Sequence, residues 1–106
     1  MKEDTLFKET PIDNLQSIRI ETRHFKVGCL QISWKNLTGT IDAEYYLEGS
    51  NDAETWDVLS SPSVMSEAES CDLIMFSEIF CKYIRCRIYK KGVTGGSVSA
   101  VLTLKV

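Results

Sequence analysis

Apolar residues recur at every second position in four stretches of the chain, the period of a strand with one buried face. Leu30, Ile32 and Trp34 form one row inside residues 25–35, with Val27 and Cys29 on the opposite face. An apolar start on both faces predicts a central or partly covered strand. Ile41, Ala43, Tyr45 and Leu47 form a second inward row, with Asp42, Glu44, Tyr46 and Glu48 outward. Ile84, Cys86 and Ile88 form a third, and Tyr83, Arg85, Arg87 and Tyr89 fall on its outer face. Val98, Ala100, Leu102, Leu104 and Val106 make the last.

Shorter signals fill the gaps. Residues 17–21 alternate, with Ile18 and Ile20 expected inward. The run Gly49-Ser50-Asn51-Asp52 breaks a strand that resumes over 55–59, with Trp56 and Val58 on one side. Residues 72–76 read as a short apolar strand. Residues 35–40 predict a hairpin connection in which Gly39 can take a positive φ, and Gly95-Gly96 predicts a hairpin turn. Residues 60–70 are the longest expected loop. Residues 1–16 lack periodicity and carry Pro11, Asp13 and Asn14, so they read as an N-terminal arm or a loosely attached first strand. Residues 17–106 then form a single domain. No amphipathic helix of useful length is present. Seven to eight short strands joined by turn signals predict an all-β fold, an antiparallel two-sheet β-sandwich of jelly-roll type, with its sheets about 10 Å apart.

Composition supports this. In 106 residues Ala occurs four times against 24 for Val, Ile and Thr together, a bias from helix toward strand. The length suits one domain. No apolar run reaches the roughly 20 residues of a membrane-spanning helix, and no signal-peptide core follows the charged start, so no membrane partner is expected. The net charge of −3 conceals a segregation: residues 36–81 hold ten acids and no base, and residues 82–106 hold six bases and no acid. Acidic and basic strands pairing across one sheet would account for it. Opposed faces meeting a neighbouring subunit are the sharper alternative. An acidic chain with one short basic segment gives no reason to expect nucleic acid as the partner.

Little catalytic chemistry is legible. His24 is the sole histidine and has no marked partner, so no catalytic residues are assigned and no cofactor is expected. Cys29, Cys71, Cys81 and Cys86 show no CxxC spacing and read as mostly buried thiols rather than metal ligands or disulfides. Asp52, Glu54 and Asp57 could offer carboxylates to calcium, although a solvated turn built on one structural Asp is the simpler reading. Trp34 and Trp56 could stack on a sugar if exposed, but their rows favour the core. Tyr83, Arg85, Arg87 and Tyr89 are residue types enriched at binding hot spots, which makes them the candidate protein interface, although an ordinary exposed strand with acid partners on its neighbour is the simpler reading.

Ile32-Ser33-Trp34, Leu37-Thr38-Gly39-Thr40, Glu48-Gly49-Ser50-Asn51-Asp52 with Trp56, and Tyr83-Ile84-Arg85-Cys86-Arg87-Ile88 together resemble a family pattern. It is similar to galactose-binding-like (discoidin-like) jelly rolls, and closer to small β-sandwich accessory virion proteins of tailed bacteriophages. The resemblance implies a non-enzymatic structural protein located in the virion, as capsid decoration, tail or fibre. Its partners would be other virion proteins and further copies of itself. The alternative it implies is a module for glycans or a host surface, with Asn51, Asp52 and Glu54 as the ligand loop. Gly39, Asp52, Trp34 and Trp56 would be the structural turn and core positions. Ala53 departs from the pattern by standing where glycine is usual.

Overall fold

The alternating rows become strands because each can bury one face against another sheet. The computed structural model describes residues 1–106 as ten strands without a helix: β1 Lys2–Pro11, β2 Leu15–Gln16, β3 Ile20–Glu21, β4 Val27–Gly39, β5 Glu44–Ser50, β6 Asp57–Val58, β7 Ser63–Val64, β8 Ser70–Phe76, β9 Tyr83–Tyr89 and β10 Val93–Lys105. One sheet runs β1-β10-β4-β8, and the other runs β2-β9-β5-β6, with β3 also on β9 and β7 also on β5. Every pairing is antiparallel. The two-layer all-β architecture is the expected one. Strand lengths differ from expectation: β4 and β10 reach 13 residues, and β2, β3, β6 and β7 have two each.

Each position across the first sheet leads into the same position across the second. The crossings are β1 to β2, β9 to β10, β4 to β5 and β7 to β8. This is a ribbon folded over itself, the plan of a jelly roll. Neighbouring crossings are stitched together: the Thr40 N–H donates to the Gly92 carbonyl, the Gly92 N–H to Asp42 Oδ1, and the Lys90 N–H to Asn14 Oδ1. Between the layers lie the predicted rows, with Leu30, Ile32, Trp34, Ala43, Tyr45, Leu47, Ile84, Cys86, Ile88, Val98, Ala100, Leu102 and Leu104 all buried.

Several expectations are corrected. Of the two readings of residues 1–16, the strand one applies to residues 2–11, and their attachment is firm rather than loose. They form the edge strand β1, paired along β10 from Lys2↔Leu104 to Pro11↔Ser97, and Phe7 and Ile12 enter the core. Ile18 is exposed while Ile20 is buried. Four residue steps from Gln16 to Ile20 oppose three from Arg87 to Ile84, so one extra residue reverses the parity. Ser17 fills the gap, its Oγ accepting from the Cys86 N–H. The 35–40 segment is not a hairpin, since β4 continues to Gly39 and the chain then crosses to the other sheet. Gly39 does take a positive φ of 82°, and a Cβ there would meet the Gly92 carbonyl oxygen at 2.6 Å. Gly95 and Gly96 lie inside β10, opposite a bulge at Asn36, rather than in a turn. Val106 is exposed, one residue past the end of β10.

Candidate interaction surfaces

The outer face of the second sheet carries the predicted interface ribbon, and the β5–β9 register explains the charge segregation. Tyr46 opposes Arg87, and Glu48 opposes Arg85. Arg85 Nε donates to Glu48 Oε1 at 2.8 Å, Arg87 Nη1 lies 3.7 Å from the same oxygen, and Lys91 Nζ reaches Glu44 Oε1 at 2.9 Å. The acid-rich and base-rich segments thus meet within one sheet. The hydrogen bond from Lys91 to Glu44 holds the lysine pKa above its ordinary value.

Arg85 is not free for a partner. Its side chain is 13% exposed, Glu48 is 11% exposed, and the guanidinium stacks 3.9 Å from the Trp56 ring centroid. Trp56 is therefore a correction to the core assignment. It lies outside the sandwich as a lid over an ion pair that would otherwise face water. Tyr83 is flanked by Arg19 at 5.3 Å and Tyr89 by Lys91 at 6.0 Å. Of the four candidates, Tyr89 is the one classed as exposed. The ribbon is a polar layer tied to itself except at the Arg87 Nε, which is buried without a hydrogen-bond partner.

The 50–57 loop uses its own polar groups. Asp52 Oδ1 accepts from the Thr55 N–H at 2.8 Å, the Glu54 N–H at 2.9 Å and the Ser50 hydroxyl at 3.0 Å. These bonds, led by that from Thr55, pull the Asp52 carboxyl down to about 2. Asn51 Oδ1 accepts from the Lys82 N–H, tying the loop to the start of β9. Glu54 points to solvent. No group of three or more His, Cys, Asp or Glu side chains is placed to hold a metal ion. Ala53 sits at φ 62°, the left-handed conformation that glycine adopts without strain. Trp34 is buried, its Nε1 donating to the Glu67 carbonyl. Neither tryptophan presents two open ring faces. Tyr45 meets Trp34 at 5.5 Å between centroids, and its hydroxyl donates to Asp72 Oδ2. Burial, and then that bond, raise the Tyr45 pKa.

All four cysteines are free thiols. Cys86 is buried, which pushes its thiol up to about 12, while Cys71 is exposed on β8, against the expectation for that residue.

The sequence did not single out the open side of the roll. β8 ends its sheet, so one of its two edges has no strand beside it. None of the turn, loop or side-chain hydrogen bonds reaches the main chain of residues 70–76. Leu73 and Met75 stand exposed on its outer face, and Asp72, Ile74 and Phe76 on the inner face are only half-buried. A cleft of about 430 Å³ opens there, eight of its twelve lining residues hydrophobic, among them Leu47, Leu59, Ile74, Phe76, Ile79 and Phe80. Phe80 at its rim is 88% exposed. Residues 60–70 hid another feature, because Met65 within that expected loop is fully buried.

No family model matches the chain, and no curated protein matches it in sequence. Solved structures do resemble it in shape. The crystal structure of the SPBc2 prophage-derived protein YomS superposes with a TM-score of 0.61 at 11% identity, covering 98% of this chain and 94% of that one. The structure of infectious bursal disease virus, Gx strain, gives a TM-score of 0.56 at 9% identity over 95% of this chain. There the chain spans 30% of the viral protein's length. At such identities the likeness is one of fold: this chain is a two-sheet β-sandwich of a kind also built by a prophage-derived protein and by part of a virus particle.

Proposed function

We propose that the chain is a non-enzymatic structural component of a virion, working by protein–protein contact, in the manner of a capsid-decorating, tail or fibre protein. One observation carries the reading: the whole roll, end to end, matches nearly the whole of a prophage-derived protein. The surface agrees with work by contact. Its charged groups on the second sheet are paired with each other, and its unfilled feature is an apolar edge and cleft suited to another protein. A glycan-binding role draws on the same fold. It gains no support from the loop, whose Asn51 and Asp52 are already bonded, or from tryptophans that are buried or capped.

The test is to purify particles produced by the encoding genome on a density gradient and quantify this chain in them by mass spectrometry. A fixed copy number per particle in the particle band supports the role. Recovery in the free protein fraction alone refutes it. Calcium-independent or calcium-dependent capture on a glycan array, lost on Asp52→Ala with Glu54→Ala, would turn the assignment to the glycan module.

A further inference from the structure

We infer that β8 is a self-pairing edge: two copies of the chain join β8 to β8, antiparallel about a two-fold axis, fusing their four-stranded sheets into one. The inference rests on the edge itself and stands whether or not the protein is found in a virion.

The first argument is the exposed main chain. Seven residues at about 3.3 Å each present roughly 23 Å of edge. Its outward N–H and C=O groups have no partner in the chain. Natural sheets blunt such edges with charge, proline, bulges or cover. β8 has no proline, no bulge and no charge on its outer row; its one charge, Asp72, lies on the inner row and is bonded to the Tyr45 hydroxyl. Cys71, Leu73 and Met75 are uncharged, and its register with β4 is unbroken from Gly28↔Phe76 to Trp34↔Ser70.

The second argument selects a copy of the same chain. An isologous joint requires that the strand tolerate its own side chains opposite, residue i on j and j on i. A row of Cys, Leu and Met does so without burying like charges. Every strand pairing within the molecule is already antiparallel, the direction a two-fold axis imposes.

The third argument is area. Leu59, Leu73, Met75 and Phe80 are 48%, 58%, 79% and 88% exposed, respectively. Together they offer on the order of 500 Å² of side-chain surface, most of the roughly 800 Å² per partner that a stable interface needs; the edge backbone and cleft rim supply the rest. The joint also has a cost. Glu67 and Glu69 precede β8 and Glu78 follows it, so antiparallel pairing brings the acidic flank of one copy to that of the other. Lys35 lies near Glu69 but is already bonded to Glu9, and residues 36–81 hold no Lys or Arg, so the flanks keep an acidic excess. Added salt therefore screens a repulsion and tightens this dimer.

Sedimentation equilibrium of the full chain from about 1 to 300 μM, at low and high sodium chloride, tests the idea. The expected result is reversible association to twice 12.0 kDa, stronger at high salt. Leu73→Lys with Met75→Lys should weaken it by at least tenfold. Both side chains are exposed, so the variant keeps the wild-type circular dichroism. Ile18→Lys, on an exposed residue away from β8, should leave association unchanged. A wild-type chain that stays monomeric at 300 μM overturns the inference. So does a dimer indifferent to the β8 lysines, or one that loosens with salt. None of these outcomes touches the particle-fraction experiment, which can succeed or fail separately.

Discussion

β1 and β8 are the two edges of one sheet, and they are finished in opposite ways. β1 carries charge along its length (Lys2, Glu3, Asp4, Lys8 and Glu9) and ends in Pro11. Its register slips between Thr5 and Phe7 and again between Phe7 and Thr10. Asp4 opposes Leu102, and its Oδ2 is buried without a hydrogen bond, with Lys2 Nζ 4.0 Å away. Bulges, an edge proline and an inward charge are the devices that stop a strand from recruiting another. β8 has an even register and an apolar outer row. β8 shares one of these devices, since Asp72 lies on its inner row and accepts from the Tyr45 hydroxyl, but it lacks the bulges, the proline and the outward charge of β1, and the proposed β8–β8 contact rests on that difference.

The contrast can be broken by mutation. The largest effect belongs to the fastened side: Phe7→Ala should cost about 3–5 kcal/mol in urea unfolding, because Phe7 is a core residue of a strand that sequence periodicity did not reveal. A loss under 1 kcal/mol would make β1 an appendage after all. Next comes the outer face of the second sheet. Glu48→Ala strands the Arg85 guanidinium beneath Trp56 and should cost about 2–3 kcal/mol. Ala53→Gly should stabilise by about 1 kcal/mol by relieving the left-handed backbone, with no change at either edge. On the bare side, Leu73→Ser measured at low micromolar concentration should change unfolding free energy by less than about 0.5 kcal/mol. A large loss there would mean that β8 is already covered within one chain.

A pH titration separates loop from edges. The folded Asp52 value of about 2 lies below its ordinary 3.8. Its contribution is complete above about 4 and lost as pH falls toward 2. The wild-type melting temperature should therefore drop across that window, and the drop should shrink in Asp52→Asn.

The buried rows at 30–34, 43–47, 84–88 and 98–104 were legible because alternation is a local property of strands one face deep. The failures are non-local. Ile18 was misplaced because an extra residue opposite β9, filled by Ser17 bonding to the Cys86 N–H, reverses parity. Gly95-Gly96 looked like a turn, whereas these glycines let β10 accommodate the Asn36 bulge of β4. Trp56 shares a row with Val58, yet its ring is claimed by Arg85 from a strand about 30 positions on. Tyr83, Arg85, Arg87 and Tyr89 do lie on the outer face, and the pairing of acidic with basic strands expected from the segregated charge is what occupies Arg85 with Glu48. The bare edge was invisible because only the sheet order reveals which strand comes last.

Lys2 is paired with Leu104. A ribosome must therefore have made Leu104 before Lys2 can find its neighbour. Until then β10 does not exist to receive it, and Phe7 waits in water. Closure that joins first to last makes for slow folding, in the millisecond-to-second range of non-local β proteins. Lys2, Glu3, Asp4, Lys8 and Glu9 thus put charge on the strand that waits longest for its partner.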